Sequence, residues 1–326
     1  MENKEKPKPK EKKLFNRKLR NVEMVGKGSY GNVYKVDFED KPGEYYALKK
    51  YMLKSKGQGF DLSALREIAI LKELNHENVE KIIDMFYSID SLYVLKEYAD
   101  TVLSMLITNN RNIKVLKINE ADKKCIMQQI LSGLVEIHRN GVLHRDLAAS
   151  NILITKKGLV KISDFGLSRF IGSPNRPLSQ GVITLNYRSP EILFGAQFYS
   201  FPLDIWSAGC IFAEILLEEV FFKGSNDIEV LKQIFNLLGT PNDNNWPDTL
   251  QLPKFRVATG TPESSIEKRF SNFSEQCRDL IGKMIVMNPN NRITAEEALN
   301  HPYFKTEPLP SKKERIAEII RKFKEY

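Results

Sequence analysis

The segment His144-Arg145-Asp146-Leu147-Ala148-Ala149-Ser150-Asn151, followed by Asp164-Phe165-Gly166, limits the folds open to this chain more than any other stretch. It sets a carboxylate, an amide and a second carboxylate at the spacing that transfer of a phosphoryl group requires. Such a transfer leaves a protein little covalent chemistry to do. It needs cations held over phosphate oxygens and one carboxylate beside the acceptor hydroxyl. Asp146 suits the second task, while Asn151 and Asp164 offer the hard oxygen donors that Mg²⁺ prefers. Any fold that uses these residues must gather them around a terminal phosphate.

Upstream, Val25-Gly26-Lys27-Gly28-Ser29-Tyr30-Gly31-Asn32-Val33 reads as a strand, a glycine-rich turn and a second strand. Glycines there let backbone amides approach a triphosphate without Cβ clashes. Tyr46-Ala47-Leu48-Lys49 reads as a strand ending in a lysine able to hold α- and β-phosphate oxygens. Glu67, on the helix-like run from Ser63 to Leu74, is its natural ion-pair partner. A lone glycine-rich turn between strands is commonly just a hairpin. Placed in this order ahead of Lys49, Glu67, Asp146, Asn151 and Asp164, it points to ATP and Mg²⁺.

With these motifs in place the chain resembles the eukaryotic protein kinases, in particular the cyclin-dependent kinases, from about Leu19 to Phe304. Ser63 to Glu67 (SALRE) is similar to that family's cyclin-contacting helix signature, and Val182 to Glu191 (VITLNYRSPE) to its substrate-binding segment. Asp204 to Cys210 resembles the helix whose buried aspartate braces the catalytic loop. Leu238-Gly239-Thr240-Pro241 with Trp246-Pro247 is similar to an insert of this branch, and Arg292 matches an arginine that pairs with the glutamate matching Glu191. The stretches IHRNGVLHRD and NILITKKGLVKISDFGL lean toward the transcription-associated members.

The resemblance implies an α+β, bilobal kinase fold with a small β-rich N-lobe, residues 19–97, and a larger helical C-lobe, residues 102–304. It implies a catalytic set of Asp146, Lys49, Glu67, Asn151, Asp164 and Thr184, with Asn151 and Asp164 as metal ligands. ATP would also meet the glycine-rich turn and a hinge near Glu97 to Thr101, where relatives hydrogen-bond adenine through backbone groups, here those of Glu97 and Ala99. A cyclin-type regulatory subunit, protein substrates with Ser/Thr-Pro sites, and a nuclear or cytoplasmic location follow as expectations. RNA polymerase II C-terminal repeats would be among the candidate substrates. Neither nucleic acid nor membrane is an expected partner.

Ser179 falls where the family carries a phosphorylated threonine, and Arg66, Arg145 and Arg169 match its arginine trio. Three guanidiniums drawn together repel one another unless a dianion sits among them, so a phosphate on Ser179 would order the loop. An ordinary loop serine is the alternative. Val182 and Arg188 match the pair that turns a backbone carbonyl aside in relatives, favouring a substrate proline, which has no N–H to leave unpaired.

Several residues depart from the family pattern. Ala148 stands where Ser/Thr kinases carry a lysine, and Ser150 where tyrosine kinases carry an arginine, so neither cation is present. Losing such a contact typically costs about 10²-fold in rate. Thr184 favours Ser/Thr over Tyr specificity, whereas Asn186 replaces a tryptophan near the proline pocket. Lys96 falls where relatives keep Phe or Met. A buried ammonium needs a partner, so Lys96 is expected either to reach Glu67 or Asp164 and supplement Lys49, or to put its head in solvent after a one-residue register shift. A pseudokinase scaffold that binds a cyclin-like partner with little turnover is the competing function.

Hydrophobic periods fit the two-lobe reading. Short strands dominate from Arg20 to about Tyr98, interrupted by one helix with Leu65, Ile68, Leu71 and Leu74 as its stripe. From Ala121 onward helical spacing takes over, as in Ile126, Ile130, Leu134 and Ile137. The three cysteines, Cys125, Cys210 and Cys277, form no CxxC pattern, which fits a reducing compartment. Net charge is +8, and lysines crowd the first twenty residues around Pro7 and Pro9, so a disordered arm over residues 1–18 is expected. A tail over 305–326 carries Ile316, Ile319, Ile320 and Phe323 at helical spacing, a pattern that more often docks on its own domain than on a membrane.

Overall fold

A computed structural model describes residues 13–14, 17–28, 31–52, 60–88, 90–113, 118–172, 183–255 and 264–324. Ser29, Tyr30, Ser179 and Val182, and the arm through residue 12, lie outside the described residues. The chain forms two compact units: Met1–Ile68 with Glu80–Tyr98, and Ala69–Val79 with Ala99–Tyr326.

The first unit is an antiparallel sheet. Its strands are β1 (Lys13–Leu14), β2 (Arg17–Gly28), β3 (Gly31–Phe38), β4 (Lys41–Met52), β5 (Ile82–Ser88) and β6 (Ser91–Glu97), in the order β1-β2-β3-β4-β6-β5. Period-two alternation divides the side chains of β4 between two faces. Tyr46 and Leu48 join Val36, Phe38 and Leu95 in one buried cluster, whereas Tyr51 packs with Ala64, Ile68 and Val94 in another. Because Lys49 pairs with Val94 and Ala47 with Lys96, the alternation also sends Lys96 to the Tyr51 face. At Gly31 a Cβ would lie 2.2 Å from the Lys50 carbonyl oxygen, so only glycine lets β3 approach β4 this closely.

The sheet begins before the arm was expected to end. The Arg17 guanidinium lies 3.9 Å from the centre of the Phe38 ring and 3.0 Å from Asp40, and Lys18 reaches Glu39. Composition marked these cations as solvated, but cross-strand partners on the β3–β4 turn anchor them.

Helix α1 (Leu62–Glu73) starts where Asp61 accepts from the backbone and hydroxyl of Ser63. Ala64, Ile68 and Leu71 are buried, the i, i+4, i+7 face, while Leu62 and Leu65 are 74% and 45% exposed. Of the apolar stripe read from spacing, Ile68, Leu71 and Leu74 are buried; Leu65 lies outside the buried face, which Ala64 completes.

The second unit is mainly helical. After β7 (Thr101–Val102) and α2 (Leu103–Ile113), α3 (Glu120–Arg139) opens with a capping box in which Asn119 and Asp122 exchange hydrogen bonds. Its stripe Ile126, Ile130, Leu134 and Ile137 is buried as the spacing requires. Strands β8 (Val142–Leu143), β9 (Ile152–Ile154), β10 (Val160–Ile162) and β11 (Arg169–Phe170) bracket the next loops, with sheets β10-β9-β7 and β11-β8. Helices α4 (Pro190–Leu193), α5 (Pro202–Leu217), α6 (Asp227–Leu238), α7 (Ile266–Arg269), α8 (Glu275–Met284), α9 (Ala295–Leu299) and α10 (Lys313–Phe323) follow.

Two long-range ties close this unit. Arg292 makes a double hydrogen bond to Glu191 at 2.7 and 2.6 Å, lies 5.0 Å from the Trp206 ring, and donates to the carbonyls of Pro202, Val286 and Met287. Helix α10 buries Ile316, Ile319 and Ile320 in the chain's own helical unit and packs on α3. A Cβ at Gly158 would fall 1.8 Å from the Lys313 carbonyl oxygen, which measures how closely the β9–β10 turn meets that helix. The three cysteines are buried and free, and among the described residues no helix is long and apolar enough to cross a membrane.

Candidate functional site

Candidate site residues lie in both units. In the first, Lys49 Nζ lies 2.8 and 3.1 Å from the two oxygens of Glu67, so strand β4 and helix α1 are joined at the ion pair expected from sequence. Tyr51 donates its hydroxyl to the same carboxylate at 2.9 Å. Lys96 resolves in favour of the paired alternative: it is 3% exposed, with its ammonium 2.6 Å from Glu67 and 2.8 Å from Glu80. Burial alone would raise the Glu67 carboxyl, but Lys96 and Lys49 outweigh it and hold the group down at about 2. Burial alone would lower Lys96, yet Glu67 and Glu80 keep it above the ordinary ammonium range. Its charge is thus committed to the carboxylates of Glu67 and Glu80. Glu80 and Tyr51 were missed from sequence. Glu80 lies between Val79 and Lys81 in NVEKII, where an adjacent lysine masks any signal of a buried partner.

In the second unit Asp204, fully buried on α5, organises the loop after β8. Its oxygens accept from the backbone N–H of His144 at 2.8 Å and of Arg145 at 2.9 Å, and from the His138 ring at 3.0 Å. Burial opposes the charge on Asp204, but these hydrogen bonds hold its carboxyl below the usual range. Arg145 is drawn into the left-handed region at φ 71°, a strain of order 1 kcal/mol that the shared carboxylate offsets. The His144 ring donates from Nε2 to the Ser163 carbonyl and accepts from the Asp146 N–H at Nδ1, so one imidazole links the His144–Asn151 stretch to the residue before Asp164.

Asp146 itself is tightly oriented. One carboxylate oxygen accepts from Thr184 Oγ1 at 2.7 Å and from Thr184 N at 3.0 Å; the other accepts from Asn151 Nδ2 at 3.1 Å. Asn151 Nδ2 also donates to the Asp146 carbonyl at 2.8 Å, so the amide oxygen of Asn151 faces away from these bonds. The Ser163 N–H and hydroxyl both donate to the Asn151 carbonyl, at 2.9 and 2.8 Å, and the next residue, Asp164, turns at φ 62°. One Asp164 oxygen accepts weakly from Gly166 N at 3.4 Å. An amide oxygen and a carboxylate are hard donors that suit Mg²⁺, which takes its remaining ligands from phosphate and water. Among the described residues no cluster of three or more His, Cys, Asp or Glu forms a self-sufficient metal cage.

Around this centre, the Ala149 N–H donates to Tyr187 Oη at 3.2 Å, and that hydroxyl donates to Glu214 at 2.8 Å. Ala148 is completely buried and Ser150 exposed, so neither position supplies the cation that the family patterns carry there. Arg188 donates to the carbonyl of Ile183 at 2.8 Å, one residue on from the Val182 expected there, and pairs with Asp227 at 2.6 Å, a partner not foreseen. Asn186 accepts from Gly224 N at 3.3 Å. Of the arginine trio, Arg145 is 2% exposed and lies 5.7 Å from the Tyr199 ring, Arg169 donates to the Ser168 carbonyl, and Arg66 is half-buried on α1. Glu97 closes β6 opposite Tyr46, Ala99 opens the next unit, and the Val25, Gly26, Asn32 and Val33 positions lie on the paired strands β2 and β3, where Gly28 faces Gly31.

Residues 19–304 match the protein kinase domain family. The chain belongs to the protein kinases. Within them it groups with the cyclin-dependent kinases. It is 39% identical to Cyclin-dependent kinase D-1 of Arabidopsis thaliana, over 95% of this chain and 77% of that protein. It is 40% identical to Cyclin-dependent kinase 7 of Dictyostelium discoideum, over 87% and 79% respectively. Two solved structures share the fold. The CAK complex of Chaetomium thermophilum bound to ATP-γ-S gives a TM-score of 0.83 at 34% identity, covering 90% of this chain and 92% of that one. The yeast RNA Pol II CTD kinase CTDK-1 complex gives 0.81 at 33%, covering 90% and 95%. The sheet unit is therefore the N-lobe of a protein kinase fold, and the helical unit its C-lobe.

Proposed function

We propose that this kinase transfers the γ-phosphoryl group of Mg-ATP to serine or threonine followed by proline, in a complex with a cyclin-type subunit. The observation that carries this reading is the setting of Asp146. A carboxylate offers about four acceptor positions, and Thr184 and Asn151 fill three of them. The remaining one is available to a substrate hydroxyl, whose proton Asp146 would take as the oxygen attacks. Lys49, aimed by Glu67, would hold α- and β-phosphate oxygens, and backbone amides of Val25 to Val33 would cover the triphosphate. Asn151 and Asp164 would hold Mg²⁺, which when bound neutralises charge on the phosphates. Adenine would meet the backbone of Glu97 and Ala99.

Thr184 beside Asp146 supports a Ser/Thr acceptor, and Arg188 on the Ile183 carbonyl supports the proline preference, with Val182 as its neighbour. The exposed Leu62 and Leu65 on α1 give a cyclin-type subunit an apolar surface. The likeness to a CTD kinase complex makes polymerase repeats, and hence a nuclear setting, the first substrates to try. Phosphorylation of Ser179, drawing on Arg66, Arg145 and Arg169, is the proposed control. The scaffold alternative rests on Ala148 and Ser150. Incubating the chain and its copurified partner with labelled ATP and a Ser-Pro peptide separates the readings: transfer that Asp146→Asn abolishes supports the enzyme, and equal background in both supports the scaffold.

A further inference from the structure

Lys96 does more than find a partner for its charge. Its ammonium joins Glu67 on α1 to Glu80 just ahead of β5, and Lys49 meets the same Glu67 from β4. Glu67 is 0% and Glu80 7% exposed, so two carboxylates and two ammoniums make a compact, charge-balanced group inside one unit. The packing on this face of the sheet is apolar, with Tyr51, Ile68 and Val94 buried in one cluster. A buried ionic group of this kind adds little stability over well-packed apolar residues, because desolvation cancels most of the attraction. Its use is geometric. Glu67 sits on a helix, and a helix can roll. Lys49 and Tyr51 grip its carboxylate from a single strand, β4, at 2.8 and 2.9 Å. Lys96 grips it from β6 and is itself fixed by Glu80, which adds a second strand and a second direction of restraint.

We infer that Lys96 is a positioning residue for phosphoryl transfer: by tying Glu67 to Glu80 it fixes the Glu67–Lys49 pair from within the chain itself. The inference rests on the reading of Lys49 as the phosphate-holding cation. The Lys96 ammonium is engaged by Glu67 and Glu80, so it acts through Glu67 on the direction of the Lys49 ammonium.

Calorimetric titration of the full chain with Mg-ATP tests this, with melting temperature recorded on the same preparations. Lys96→Met is expected to weaken Mg-ATP binding about tenfold or more although Lys49 is untouched, and to lower the melting temperature because Glu80 loses its ammonium. Glu80→Gln should weaken binding in the same direction while leaving Lys96 with Glu67. The double variant Lys96→Met/Glu80→Gln removes the uncompensated carboxylate, so it should regain thermal stability without regaining affinity. That divergence is what a purely structural role would not produce. Wild-type affinity in folded Lys96→Met, or recovery of affinity together with stability in the double variant, overturns the inference while leaving the kinase reading intact. If Lys96→Met does not fold, Glu80→Gln and the double variant decide the matter. A wild-type chain that binds no Mg-ATP overturns the underlying reading, and the inference with it.

Discussion

Glu214→Gln is expected to stabilise this protein above pH 7 and to change little below pH 5. Glu214 lies on α5, 3% exposed, with its oxygens accepting from Tyr187 Oη at 2.8 Å and from Phe221 N at 3.4 Å. Burial pushes its carboxyl from 4.5 up to about 7, against the pull of those two hydrogen bonds. The folded chain thus holds this proton more firmly than the unfolded chain does. The associated stability is complete below pH 4.5, where both states are protonated, and is lost as pH rises through 7. Each tenfold change in proton affinity is worth about 1.4 kcal/mol, so the loss approaches about 3 kcal/mol in alkaline solution. Glutamine has the same shape and no proton to lose. Its amide can donate to Tyr187 Oη while its oxygen accepts from Phe221. Urea unfolding of both proteins at about pH 5 and about pH 8 should therefore show the variant's relative stability rising by about 2 to 3 kcal/mol, since every other titrating group cancels in the comparison. A difference that stays flat to within about 0.5 kcal/mol would mean that Glu214 ionises in the fold as it does in water, and the burial reasoning would be wrong.

Other substitutions probe the remaining parts. Thr184→Val deletes the hydroxyl that holds Asp146 at 2.7 Å; steady-state kinetics should show kcat down about tenfold with KM for ATP little changed. Arg292→Met strands the buried Glu191 carboxylate, and chemical denaturation should register a loss of about 3 to 5 kcal/mol. Gly31→Ala would press a Cβ onto the Lys50 carbonyl. Lys49 is the next residue along that strand, so the expected outcome is a higher KM for ATP with the C-lobe's melting transition preserved.

The spacing of short motifs foretold which residues of the helical unit come together where they are neighbours in sequence as well as in space. Asp146 and Asn151 belong to one loop, whereas the buried Asp204 brace, far along the chain, came only from the resemblance to kinases. What sequence concealed depends on register and on partners far along the chain. Lys96 was ambiguous until the β4–β6 pairing placed it on the Tyr51 face, and nothing local tied it to Glu80. Asp227, which holds Arg188, lies on a later helix. Leu65 fitted a helical stripe equally well by spacing, yet the smaller Ala64 took the buried face. At the chain's start, composition described solvated cations, while Phe38 at the end of β3 and Asp40 on the following turn captured Arg17.

The most direct measurement is transfer of labelled γ-phosphate from Mg-ATP to a Ser-Pro peptide by the chain with its copurified partner, run beside Asp146→Asn. Turnover that falls at least about 10²-fold in the variant, with Mg-ATP binding retained, is the expected result. Equal transfer by both proteins would remove Asp146 from the reaction and contradict the assignment of the site.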